Sequence, residues 1–304
     1  MAARGDFRMR TLKLAYSDDA DDAAMFLAMV YGEVAVPGVR FEHFRSDIAT
    51  LNALADAGGA DVCAVSVAHV PEIADRYALL PHGGSVGRGY GPVVVARRPD
   101  APMRRVGVPG TSTTAAAVLR LARPDAELVP MVGALLADTL RALDEGTIDA
   151  AVLVHEGRLV YRDAGLHLLL DLGAWWEEET GLPLPLGANV IRRDLGDELI
   201  ATLTEAIGRS IRWAVENRER VLDELAPHGA RRGLDREGLA HYLDLYANED
   251  TVGYDETCRR AIDELLRRIA QGAGAAAPCP VRSSTSMKYP GSGPASRGWE
   301  SMRK

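Results

Sequence analysis

The segment Val154-His155-Glu156-Gly157-Arg158 sets an imidazole, a carboxylate and a guanidinium in close succession. Imidazole is the side chain whose unperturbed pKa lies nearest neutrality, so His155 is the natural candidate for a group that takes up a proton in a reaction. Two further stretches follow, Asp171-Leu172-Gly173-Ala174-Trp175-Trp176 and Thr180-Gly181-Leu182-Pro183-Leu184-Pro185-Leu186-Gly187. Adjacent indoles either stack on a flat aromatic ligand or fill a core, and the sequence leaves both readings open. The alternating prolines fix φ at two positions and predict a stiff loop beside the histidine.

These residues need elements to hold them. The apolar run Thr147–Val154, with β-branched residues at either end, predicts a buried strand. His155 then falls at or just past its carboxyl end, the edge at which open α/β sheets bind ligands. A purely structural histidine fits that position as well. Near the amino end, Thr11–Tyr16 reads as a strand and the apolar run Ala23–Val30 as a helix. Asp18, Asp19, Asp21 and Asp22 lie at that junction, where carboxylates suit the helix dipole, and they read as solvated. A calcium loop is not indicated, because its glycine and terminal glutamate are missing. Strands follow at Phe41–Phe44 and Asp61–Val67, with Ser66 near the end of the latter, and a helix opens at Asp47-Ile48-Ala49-Thr50-Leu51-Asn52. The glycine-rich stretch Gly83–Pro92 precedes a strand instead of opening a helix, so it is a turn and not a dinucleotide fingerprint. Val93–Ala96 closes this first group.

After a polar linker, 97–102, the pattern restarts with a strand at Arg105–Val108. The turn Pro109-Gly110-Thr111-Ser112-Thr113-Thr114 leads into a helix over Ala115–Leu121. Free N–H groups at such a helix start favour a carboxylate, although a simple N-cap accounts for the hydroxyls equally well. A short strand at Leu128–Met131 and a helix at Leu135–Leu143 precede the strand that ends at His155. Asn189–Arg193 reads as a returning strand, and helices are predicted over 198–220, 236–246 and 255–270. Residues 271–304 lack aliphatic periodicity and read as a disordered tail. The expected architecture is α/β with two lobes, one from 10–97 plus 190–270 and the other from 103–187. Extended crossings near 93–103 and 187–193 would hinge them around a ligand cleft.

With 304 residues the chain can bury two such cores. No apolar run approaches the ~18 residues of a membrane span. A net charge of −8 opposes nucleic-acid and anionic-membrane surfaces. Cys63, Cys258 and Cys279 are odd in number and widely spaced, as expected of reduced thiols. Arg4, Arg8, Arg10 and Lys13 are followed by no apolar leader, so a cytoplasmic location is expected.

In this order the motifs resemble the 1,4-dihydroxy-6-naphthoate synthase family of the futalosine route to menaquinone. The resemblance runs through Asp47–Asn52, Val65-Ser66-Val67, Asp75–Leu80, Gly89-Tyr90-Gly91-Pro92 and Val108-Pro109-Gly110 with Thr113-Thr114. It is densest over His155–Arg158, Asp171–Gly173 with Trp175-Trp176, and Gly181–Gly187, and it fades at His241 and Leu245–Asn248. It covers about residues 10 to 270. The resemblance implies a periplasmic-binding-protein-like (type II) fold used as a lyase. Such enzymes convert cyclic dehypoxanthinylfutalosine to 1,4-dihydroxy-6-naphthoate and dihydroxyacetone without a metal or organic cofactor. It places the proton acceptor on His155 and substrate contacts on Ala64, Val65, Ser66, Thr113 and Thr114. Asp21, Asp22, Asn52, Glu156, Arg158, Trp175 and Trp176 are the remaining candidate pocket residues. The expected partner is a small carboxylate. A small-carboxylate binding protein of this fold and a chorismate dehydratase-like enzyme are the alternatives.

One stretch departs from the family pattern. Many members carry Ser-Pro-Cys-Pro-Asn-Asp-Thr-Phe after the first strand, where this chain has Ser17-Asp18-Asp19-Ala20-Asp21-Asp22-Ala23-Ala24. Ala64 also stands where a lysine is common. Lost cations and added carboxylates weaken the attraction for an anionic substrate.

Overall fold

The structure, a computed structural model, describes residues 9–272. The chain opens with β1 (Arg10–Ser17), α1 (Ala20–Val30), β2 (Val39–Ser46), α2 (Ile48–Asp56) and β3 (Val62–Ser66). A 3-10 turn at Val67–His69 leads to α3 (Val70–Ile73), β4 (Tyr77–Leu79) and β5 (Ser85–Gly87). The middle of the chain forms β6 (Val93–Ala96), β7 (Arg105–Val108), α4 (Thr114–Ala122), β8 (Glu127–Pro130) and α5 (Leu136–Asp144). It continues through β9 (Ala150–Leu153), α6 (Gly157–Val160), β10 (His167–Asp171) and α7 (Leu172–Thr180). The chain then returns in β11 (Leu184–Arg192) and ends in α8 (Asp197–Glu216), α9 (Arg218–Arg231), α10 (Arg236–Tyr246), α11 (Glu249–Val252) and α12 (Glu256–Gly272).

Two mixed sheets organise these elements. The first has the order β2-β1-β3-β11-β4, with β5 also paired to β11. The second has the order β10-β6-β9-β7-β8. β3 and β9 are buried along their whole length, as expected of strands covered on both faces, and both read as continuous apolar runs. The expected two-lobed α/β architecture is therefore present.

The strand pairing moves its boundaries. Val93–Ala96, expected to close the first group, pairs with β9 and β10 in the second sheet. The chain crosses between sheets at 88–92 and again at 181–183, earlier than expected on both occasions. β11 begins at Leu184, so Leu184-Pro185-Leu186 is strand and not free loop. Pro185 has no N–H to give and lies beside a register shift in the pairing with β5, where a strand tolerates proline. The expected helix 198–220 breaks at Asn217, whose Nδ2 donates to the Trp213 carbonyl at 2.8 Å. Apart from Gln271 and Gly272, which end α12, the expected tail lies outside the described residues, as does Cys279.

Three features of the packing bear on the site. A core formed by α1, α9 and α10, including Leu27, Val221, Leu222 and Leu239, sets the start of α1 against Tyr242. Arg158 donates to the Gly91 carbonyl at 2.7 Å and to Asp171 at 2.6 Å, and it lies over the Tyr90 ring. It thus clamps the first crossing. Burial pushes the Cys63 and Cys258 thiols up to about 12, so both are inert. Among the described residues no helix is long and apolar enough to cross a membrane.

Candidate active site

β9 ends at Leu153, and the chain must turn at once into α6. The Gly157 N–H donates to the Val154 carbonyl at 3.0 Å, and the Arg158 N–H donates to the His155 carbonyl at 3.2 Å. This tight turn forces His155 to φ 51°, the one non-glycine residue with positive φ among those described. Left-handed backbone at a residue bearing a β-carbon is strained, and such strain gathers at functional sites. The turn aims the imidazole across the cleft, where Nδ1 lies 3.1 Å from Asp19 Oδ2.

The opposite wall is the junction of β1 and α1, and it departs from the sequence reading. Asp19, Asp21 and Asp22 are buried and not solvated, with exposures of 4%, 3% and 8%. Each has a definite role. Asp22 Oδ2 accepts the Ser17 N–H at 2.6 Å, and Asp21 Oδ1 accepts the Tyr242 hydroxyl at 2.8 Å. Glu156, also buried, accepts the Ala20 N–H at 3.3 Å from the other side of the cleft. Arg232 brings a cation to within 3.7 Å of Glu156 and 3.3 Å of Asp18. His228 lies 3.9 Å from Glu156.

Loss of water dominates the electrostatics. Burial raises Asp19 to about 6 and Asp21 to about 7, the latter pushed further by Asp19. Asp22 is carried well above the usual carboxylate range, and Glu156 is raised as well. Burial lowers His155, while Asp21 and Glu156 pull it back up. The imidazole is therefore neutral at pH 7 and ready to accept a proton, with carboxylates at hand to stabilise the charge it gains. Asp19, Asp21 and His155 each bring a potential ligand atom to within 4.8 Å of one another, and these are the groups a small cation would meet.

His155 lines two spaces. The outer cleft, about 810 Å³, lies between Ser17–Asp19 and Arg45–Ile48 on one side and Met131–Leu136 and Leu153–Gly157 on the other. That volume accommodates a bicyclic metabolite. An inner cavity of about 60 Å³ is bounded by His155, Asp21, Ser66, Ser85, Thr113, Thr114 and Tyr246. Thr113 caps α4, accepting the Ala116 N–H at 3.2 Å. The Thr114 hydroxyl donates to the Leu186 carbonyl at 2.7 Å, tying α4 to the returning strand.

The candidate residues divide accordingly. His155, Asp21, Ser66, Thr113 and Thr114 meet at the inner cavity, and Glu156 lines the outer cleft. Asn52 stands behind them. Its Oδ1 accepts the Ser66 N–H at 2.9 Å, and its Nδ2 reaches the Ser112 hydroxyl at 3.2 Å, linking the two lobes. Ala64 and Val65 are buried within β3 opposite Asn189 and Ala188, and they border neither space. Asp22 lies beneath the junction. Arg158 is engaged at the crossing. Trp176, expected as a pocket wall, is fully buried in the core and donates to the Pro183 carbonyl at 3.0 Å, while Trp175 packs against the same core. The sequence reading did not single out Arg232, Ser85 or Tyr242. Tyr246 belonged to the faint C-terminal match, the one signal that pointed to this helical wall.

The sequence and fold have counterparts in known proteins. A model of the family described as menaquinone biosynthesis matches residues 12–271. A 1,4-dihydroxy-6-naphthoate synthase of Thermus thermophilus is 39% identical over 283 residues, covering 90% of this chain and 98% of the relative. An enzyme of the same name from Streptomyces coelicolor is 37% identical, covering 86% and 93%. A crystal structure of a protein from Archaeoglobus fulgidus superposes with a TM-score of 0.80 at 37% identity, covering 89% of this chain and 99% of that one. A Candida albicans protein described as having the generic periplasmic binding protein fold is similar in fold alone, at TM-score 0.60 and 11% identity over 86% and 95% of the two chains. With its cleft, its strand-end histidine and these matches along nearly all of its described length, the chain belongs to the menaquinone biosynthesis family.

Proposed function

We propose that the chain is a lyase that converts cyclic dehypoxanthinylfutalosine to 1,4-dihydroxy-6-naphthoate and dihydroxyacetone, with His155 as the base. The observation that carries this reading is a neutral, partly buried imidazole held at a strand end in a cleft with room for the substrate. His155 removes a ring proton, and the electron pair of that C–H bond enters the ring. The bond to the three-carbon fragment breaks with its pair on the fragment, which recovers a proton as dihydroxyacetone. The new aromatic ring drives the step, which needs neither an oxidant nor an organic cofactor. The Ser66 hydroxyl and the first backbone N–H groups of α4, which begins at Thr113 and Thr114, are offered to the substrate carboxylate, while the two threonine hydroxyls donate to the Gly110 and Leu186 carbonyls. Closure of the lobes excludes water from the carbanion-like intermediate. The site of action is the cytoplasm.

The test is turnover of cyclic dehypoxanthinylfutalosine by the purified protein, followed by the appearance of naphthoate fluorescence. His155→Ala should abolish turnover while keeping the rise in melting temperature on ligand binding. Full activity in that variant would remove His155 as the base. Binding without turnover in the wild type would make the protein a carboxylate sensor, and dehydration of chorismate would make it a dehydratase.

A further inference from the structure

The carboxylate of Asp19 is placed where an aspartate ordinarily caps a helix, and it does not cap. Asp19 occupies the N-cap position of α1 in extended backbone, φ −99° and ψ 162°, yet its side chain accepts no N–H from the helix it begins. Aspartate at this position normally satisfies the second or third amide. Here Glu156 takes the Ala20 amide from across the cleft, and Asp22 takes the Ser17 amide. Asp19 reaches out of its own lobe instead, to His155 Nδ1 at 3.1 Å.

An ionised carboxylate has only acceptors to offer, so at 3.1 Å it favours the tautomer that carries the proton on the ring nitrogen beside it. In a neutral imidazole the other nitrogen then bears the lone pair. We propose that Asp19 is a positioning residue for the base, fixing the His155 proton on Nδ1 and leaving Nε2 to receive the proton from the substrate. The inference rests on the reading of His155 as the base. The charged groups around the pair are consistent with it. Burial opposes charge on both groups. Arg232 and the Ser17 hydroxyl favour ionised Asp19 while Asp18 and Asp47 oppose it, and Asp21 and Glu156 favour a protonated ring while Arg232 opposes it.

The test combines a structural and a kinetic reading on the full chain. Nitrogen-15 histidine spectra at pH 7.5, with the His155 signals assigned by their loss in His155→Ala, should show the Nδ1–H tautomer in the wild type. Asp19→Ala should shift the ring towards the Nε2–H form that prevails in water. With cyclic dehypoxanthinylfutalosine, kcat should fall at least about 100-fold while KM moves less than about 3-fold. In Asp19→Asn, which keeps the size of the side chain but not its charge, the acid limb of the kcat/KM profile should move to lower pH. An Nε2–H ring in the wild type would overturn the proposal, as would an unchanged tautomer in Asp19→Ala or an unchanged acid limb in Asp19→Asn. Should Asp19→Ala fail to fold, the wild-type tautomer and the acid limb of Asp19→Asn still decide the proposal. If the wild type turns over no substrate, the lyase reading fails, and the tautomer measurement still decides the role of Asp19.

Discussion

Replacing His155 by glycine should give an enzyme as inactive as the alanine variant but more stable. Both substitutions remove the imidazole and its contact with Asp19, so they differ only in the β-carbon at φ 51°. Left-handed backbone costs a residue with a β-carbon about 1–2 kcal/mol. Glycine gives back about 0.5–1 kcal/mol through the greater freedom of its unfolded chain. The glycine variant should therefore be about 0.5–1 kcal/mol more stable than the alanine variant. For a chain of this size that is a rise of about 1–3 °C in melting temperature. Paired thermal and urea unfolding of the two variants in one buffer, without ligand, measures it. An alanine variant that melts at or above the glycine variant would refute the claim that the turn between β9 and α6 holds strain at this residue.

Other consequences are as direct. Asp21→Asn removes a buried group whose pKa in the folded state, about 7, exceeds its unfolded value, so the contribution of Asp21 to stability is fully present below its unfolded pKa and is lost as pH rises through 7. The advantage of Asp21→Asn in unfolding free energy should grow by on the order of 2–3 kcal/mol between about pH 5 and pH 8, and an advantage that grows towards acid would contradict the sign. Arg158→Ala should cost about 2 kcal/mol in urea unfolding by freeing the first crossing and leaving Asp171 without its cation, while KM for the substrate stays the same. Trp176→Ala should cost about 3–5 kcal/mol through the cavity it opens, whereas Trp175→Phe should leave KM unchanged. A large KM effect in Trp175→Phe would restore the pair to the pocket wall.

What the sequence disclosed follows the range of the interactions involved. The strand ending beside His155, the cap at Thr113 and the helix start at Asp47 are local features, and each lies where the pattern placed it. The pairing of β6 was not legible, because its partners, β9 and β10, lie more than fifty residues further along. The burial of Asp19, Asp21 and Asp22 was hidden for a related reason. Acidic residues at a helix start are ordinarily solvated, and only the later helices α9 and α10, with Tyr242 and Arg232, cover them. The tryptophans illustrate the converse. Their composition suits a pocket and a core equally, and only the tertiary position of Pro183 settles Trp176 in the core.

The place of β11 in the first sheet bears on how the chain comes to be folded during synthesis. β11 lies between β3 and β4 and also pairs with β5, so β4 and β5 are not joined to the rest of that sheet until residue 192 has been made. The strands of the second sheet come from one continuous stretch, Val93 to Asp171, and can pair as soon as they leave the ribosome. The later half-domain is thus the first to be finished. The earlier one waits with the exposed edge of β3, an apolar strand open to aggregation, until the return strand arrives to cover it.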